Sequence, residues 1–201
     1  MKILDKSMTK RIIIFFCISI SLMLISGIIT YIVNPNIEII KNIQGLSEDK
    51  QRAEGLEKVW QYIINNGFKV PLQMLILSII PIPFLYSANL ISTSILTGFV
   101  FTLLIRFDLH IGLIGVGSSI PHTVLELLSY AVFAAALYLF NKSIIRTISN
   151  LFRKNKKAKI SILKSIVTVA QVYILLVLPL SIIVAFLETY FTNFLMDLLN
   201  E

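Results

Sequence analysis

Residues 70–105 read VPLQMLILSIIPIPFLYSANLISTSILTGFVFTLLI, and none of these 36 positions is charged. As one straight helix the stretch would measure about 54 Å, against a bilayer hydrocarbon core of about 30 Å. A single upright crossing therefore cannot hold it. Pro81 and Pro83 could break one helix in two, while Tyr86, Ser87, Ala88 and Asn89 could form the tight turn of a two-span hairpin.

Charge placed elsewhere chooses between these readings. Between Asn141 and Lys164 lie eight basic residues, Lys142, Arg146, Arg153, Lys154, Lys156, Lys157, Lys159 and Lys164, and no acidic one. The N-terminus is basic too, with Lys2, Lys6, Lys10 and Arg11 against Asp5 alone. The positive-inside rule puts both segments in the cytoplasm, which requires an even number of crossings between them. The uncharged run from Ile12 to Val33, a hairpin within 70–105 and one further span ending near Phe140 make four.

The whole composition agrees with lipid as the solvent. The 201 residues are 56% hydrophobic and 14% charged, with a mean hydropathy of +0.84. A net charge of +7 sits beside apolar spans rather than on a basic surface interleaved with aromatics, so it points to topology and anionic lipid, not to nucleic acid. The single cysteine, Cys17, lies in the first apolar run and excludes an internal disulfide or a cysteine-based zinc site. That first run exceeds a signal-peptide core and carries no good small-residue cleavage site, so a retained anchor is expected.

The expected fold is thus all-α, a polytopic bundle of about five spans with the N-terminus inside and the C-terminus outside. The spans fall at about 12–33, 70–87, 89–106, 112–140 and 165–187, with an outer loop at 34–69 and a basic cytoplasmic loop at 141–164. Within the outer loop, Ser47 is a plausible N-cap and Asn65, Asn66 and Gly67 a plausible stop for a helix lying on the membrane surface, its Trp60 and Tyr62 suiting the interface. The fourth run is too long for one upright crossing. Gly112, Gly115, Gly117, Ser118, Ser119 and Pro121 crowd its first half, so a broken or re-entrant piece is expected before Pro121, with the crossing proper over 121–140.

His122, Glu126 and Glu188 stand in or beside the later apolar runs, where ionisable groups are rare and costly. Gly112, Gly115, Ser119, His122, Glu126 and Ser129 follow alternating spacings of three and four, a continuous small and polar stripe on one helix face. Ser181, Ala185, Glu188 and Thr192 form a similar stripe on the last helix. His122, Glu126, Glu188, Ser119 and Asn89 are the candidate intramembrane polar site, for a proton, a cation or a peptide amine or carboxyl; Gly112, Gly115 and Ser129 are candidate packing positions. The bland alternative is a structural hydrogen-bond cluster that fixes helix register, and Asn89 suits a turn or cap better than a ligand. A metal on His122, Glu126 and Glu188 is a weaker pattern, and neither HExxH nor GxSxG occurs.

The segment SIPHTVLELL, residues 119–128, resembles the Pro-His-x-x-Leu-Glu signature of the stage II sporulation protein M family. Asn66 opening a span, Asn89, and AFLETY at 185–190 fit the same order, although Leu90 follows Asn89 where the family tends to glycine, and Thr123 also replaces a usual glycine. The resemblance implies a multi-pass cell-membrane protein without established enzymatic chemistry, metal or cofactor. The family's namesake works with partner proteins in forespore engulfment, and relatives occur beside peptide exporters and in production of, or immunity to, circular bacteriocins. The expectation drawn from it is a membrane component of a transport assembly, with an ABC transporter, another membrane protein or a peptide as partner, a homo-oligomer left open, and no nucleic acid. A sporulation scaffold and a metal-dependent membrane hydrolase are the alternatives.

Overall fold

The structure is a computed structural model that describes residues 5–35 and 54–200; the expected Ser47 cap lies outside them. It is all-helical, with no strand among the described residues. Among the described residues five helical rods follow one another. The first, α1, is Lys6–Val33. The second, α2, covers residues 55–79 as Gly55–Tyr62, a π-helical turn Ile63–Lys69, and Val70–Ile79. Next come α3, Ala88–Phe107, and α4, Leu109–Phe152. The last, α5, runs over 162–200 and holds two π-helical turns, Tyr173–Val177 and Leu187–Phe191.

Side-chain caps set most of the starts. Asp5 accepts from the Met8 amide at 2.6 Å, Asp108 from Ile111 at 2.9 Å, and Ser161 from Lys164 at 3.3 Å. Lys6, Lys10 and Arg11 therefore ride on the first turns of α1, which begins six residues before its uncharged run. Among the described residues four helices are long and apolar enough to cross a membrane: α1, Leu85–Phe107, α4 and Ile162–Leu199.

The most apolar window of α4 is 67% buried, against 11% for that of α1, so α4 is the hub and α1 faces outward along most of its length. Ala131, Ala134, Ala135 and Ala136 on α4 are all but inaccessible. Side chains that small let neighbouring backbones approach closely, which is what drives helix association where lipid is as apolar as the core. The outward faces carry Ile13, Leu24, Ile28, Ile29, Leu72 and Leu113, a distribution suited to hydrocarbon rather than water.

Three expectations are corrected. The helix does not break before Pro121, because α4 continues through it. Proline removes one backbone donor, yet in an apolar surrounding a continued helix leaves fewer orphan groups than a break would. The hairpin turn lies earlier than Tyr86–Asn89: α2 ends at Ile79, Phe84 takes a left-handed conformation with φ 64°, and Leu85–Ser87 forms a 3-10 turn. Asn141 on α4 explains the early stop, since its side-chain amide donates to the carbonyls of both Ser78 and Ile80 at 2.9 Å. Finally, Asn65, Asn66 and Gly67 do not stop a surface helix. The chain passes through them as a π-turn, and Asn66 and Gly67 are buried.

Candidate functional site

The site begins with two prolines. Pro71 and Pro179 each occupy the first turn of an α-helical segment that follows a π-turn. A proline has no N–H, so the carbonyl four or five residues earlier loses its helical partner. On α2 those carbonyls belong to Gly67 and Asn66, and α5 approaches both. The Tyr173 hydroxyl donates to Gly67 O at 2.7 Å, while the Ser181 hydroxyl, whose shorter bond at 2.9 Å goes to Val177 O on its own helix, lies 3.4 Å from Asn66 O. From α4, the Ser129 hydroxyl lies 3.4 Å from Val177 O at the end of the second π-turn. Local backbone defects thus become the polar seams that join α2, α4 and α5. Nothing in apolar periodicity shows them; Pro71 and Pro179 are the signals that could have.

The ionisable groups gather beyond these seams. His122 Nδ1 lies 2.9 Å from Thr192 Oγ1, and the Tyr130 hydroxyl donates to Glu126 Oε1 at 3.0 Å. Glu188 faces the Tyr62 hydroxyl and lies near Lys58 and Glu126, while Lys58 also lies near His122. Glu126 is served by Tyr130, one turn along its own helix, and His122 by a threonine of α5. Tyr62 and Lys58 come from the segment read as a surface helix, and so were missed. On α5 the stripe faces inward, with Ser181, Ala185 and Thr192 buried and Glu188 half-buried.

Other candidates lie elsewhere. Asn89 is on the hairpin, where its amide donates to Gln73 Oε1 at 2.7 Å. Ser119 is half-buried, while its neighbour Ser118 is fully buried with its hydroxyl 3.0 Å from Gly115 O. Gly112 is a true close approach: a Cβ there would overlap the backbone of Leu104 and Ile105. Gly115 is not, since a Cβ would meet nothing within 4 Å. The tightest approach is at Gly98, unremarked in the sequence, where a Cβ would collide with Met23 O on α1. Among the described residues, no three His, Cys, Asp or Glu side chains come together as a metal-holding group, so the proposed trio of His122, Glu126 and Glu188 does not form one.

Sixteen residues of α4 separate His122 from Tyr138, about 24 Å of helix rise. Arg11 and Lys142 both stack on Tyr138. The His122 cluster and the basic end are therefore on opposite halves of the molecule. A family model described as stage II sporulation protein M matches residues 12–193. No curated protein and no solved structure shows significant similarity to the chain.

Proposed function

The chain belongs to the stage II sporulation protein M family, and from that premise we propose that this integral membrane protein is a non-catalytic component of a peptide-export or bacteriocin-immunity assembly in the cell membrane. The observation that carries the reading is the pair Glu126 and Glu188, two carboxylates on different helices in one interhelical space, with His122, Lys58 and Tyr62 beside them. Ionisable groups among membrane helices are functional candidates by default, and π-turns concentrate at functional sites. Two carboxylates suit the amine of a peptide, a proton or a small cation.

The proposal includes five crossings with the basic segments in the cytoplasm. The fifth is α2, whose 25 residues rise about 37 Å, from Gly55 beside Tyr190 to Ser78 beside Asn141. Its lower apolarity comes from Lys69, Asn65 and Asn66.

Glu126→Gln in the producing host tests the function. The amide keeps an acceptor for Tyr130, so membrane levels should stay at wild type while peptide export or bacteriocin resistance is lost. Unchanged export and resistance, with the variant present in the membrane, would overturn the reading. The family description favours a second one, a scaffold in a sporulation complex; loss of sporulation on deletion, with export and resistance intact, would select it.

A further inference from the structure

A second feature lies at the basic end, away from the cluster of Glu126 and Glu188. Arg11 stands 5.1 Å from the centroid of the Tyr138 ring, and Lys142 Nζ 5.2 Å from the same centroid. Arg11 Nη1 donates to Ser7 at 3.2 Å, and Lys142 Nζ to the Tyr138 hydroxyl at 3.2 Å. Arg11 Nε is buried without a partner. Together with Lys10, these two cations rim a cavity of about 700 Å³ that no carboxylate lines.

Below the rim the walls are apolar. Ile14, Phe15, Ile18 and Leu22 of α1 face Leu90 and Ile91 of α3 across it. From Arg11 to Leu22 the groove descends eleven residues of helix, about 16 Å, close to half of the roughly 30 Å hydrocarbon core. Phe84, held at φ 64°, closes the upper wall with its ring 6.1 Å from Tyr138 and 6.5 Å from Phe15. A cationic mouth over an apolar channel one leaflet deep matches an amphiphile with an anionic head and a long chain.

We propose that this groove is a binding site for an anionic phospholipid, its headgroup phosphate between Lys10, Arg11 and Lys142 and one acyl chain along Ile14, Ile18 and Leu22. Basic pockets between membrane helices suit such headgroups. A free anion would use the mouth and leave the channel without purpose, and a zwitterionic lipid would gain little from three cations. The inference needs only that the helices sit in a membrane. It does not depend on the transport reading.

The full-length protein in detergent micelles is titrated with phosphatidylglycerol, phosphatidylcholine or inorganic phosphate, with thermal unfolding and native mass spectrometry as readouts. Phosphatidylglycerol should bind at least tenfold more tightly than phosphatidylcholine and raise the unfolding temperature, and phosphate alone should do neither. The double variant Lys10→Gln, Lys142→Gln should lose that preference while phosphatidylcholine binding stays as it was. Ile18→Trp, which fills the channel and leaves every cation in place, should weaken phosphatidylglycerol binding to a similar degree. Equal binding of the two lipids would reduce the groove to ordinary lipid contact, and stabilisation by phosphate alone would make it an anion site without a chain. Retention of the preference in the double variant, or undiminished phosphatidylglycerol binding by Ile18→Trp, would also overturn the proposal.

Discussion

His122 Nδ1 and Thr192 Oγ1 stand 2.9 Å apart, joining α4 to α5 across 70 residues of sequence. The threonine hydroxyl has one proton, and its oxygen also lies 3.1 Å from Leu187 O, which can only accept. We predict that the hydroxyl donates to that carbonyl and receives Nδ1–H at its lone pair, so that the neutral imidazole presents Nε2 as an acceptor.

Thr192→Val tests this arrangement. It removes the hydroxyl that bonds both His122 Nδ1 and Leu187 O while keeping the side-chain shape, and Leu187 O still accepts from the backbone N–H of residue 192. The bundle should lose about 0.6 kcal/mol and at most about 1.7, the average and the maximum measured for interhelical hydrogen bonds in membranes, read as an earlier unfolding midpoint in mixed micelles. Nitrogen chemical shifts of His122 should show the Nδ1–H form in the wild type and its loss in the variant. An unchanged tautomer would contradict the assignment.

Gly98 and Gly115 should respond in opposite ways to alanine. At Gly98 the added methyl meets Met23 O, which is backbone and cannot move aside without separating α1 from α3. Gly98→Ala should cost about 1–3 kcal/mol, the usual range for overpacking. At Gly115 the methyl meets open space, and alanine should gain about 0.5–1 kcal/mol from lower chain entropy. Unfolding midpoints of the two variants check both signs.

The proposed topology is checked by cysteine labelling of intact cells. Cys17 is first changed to serine, leaving no other thiol. Glu54→Cys, exposed at the start of α2, should react with a membrane-impermeant maleimide. Asn155→Cys, in the exposed segment after α4, should react only after the membrane is opened. Labelling of position 155 from outside would reverse the orientation.

The glycine pair also shows where sequence reading ran out. Gly115 fell on a regular small-residue spacing and was read as a packing position, yet that face of α4 meets no neighbour there. Gly98 stood alone in an apolar run, and only the placement of Met23 made it indispensable. Periodicity reports which residues share a face of their own helix; it carries no information about what lies opposite. The same limit hid Tyr62 and Lys58, whose relation to Glu188 and His122 needs α2 folded against α5. His122, Glu126 and Glu188 were legible because charge in an apolar run is conspicuous in any context.

What the sequence determined by itself was the medium and the class of structure. Long uncharged tracts favour hydrocarbon residue by residue, and a backbone deprived of water must bond within its own helix. Neither statement requires knowing a neighbour. Tertiary structure decided the exceptions to that rule. The carbonyl of Gly67, left without its helical donor by Pro71, and those of Ser78 and Ile80 at the end of α2, are satisfied by a hydroxyl from α5 and an amide from α4. Such pairings arise only once distant helices are packed, because a hydrogen bond reaches about 3 Å and the chain brings its ends that close only by folding.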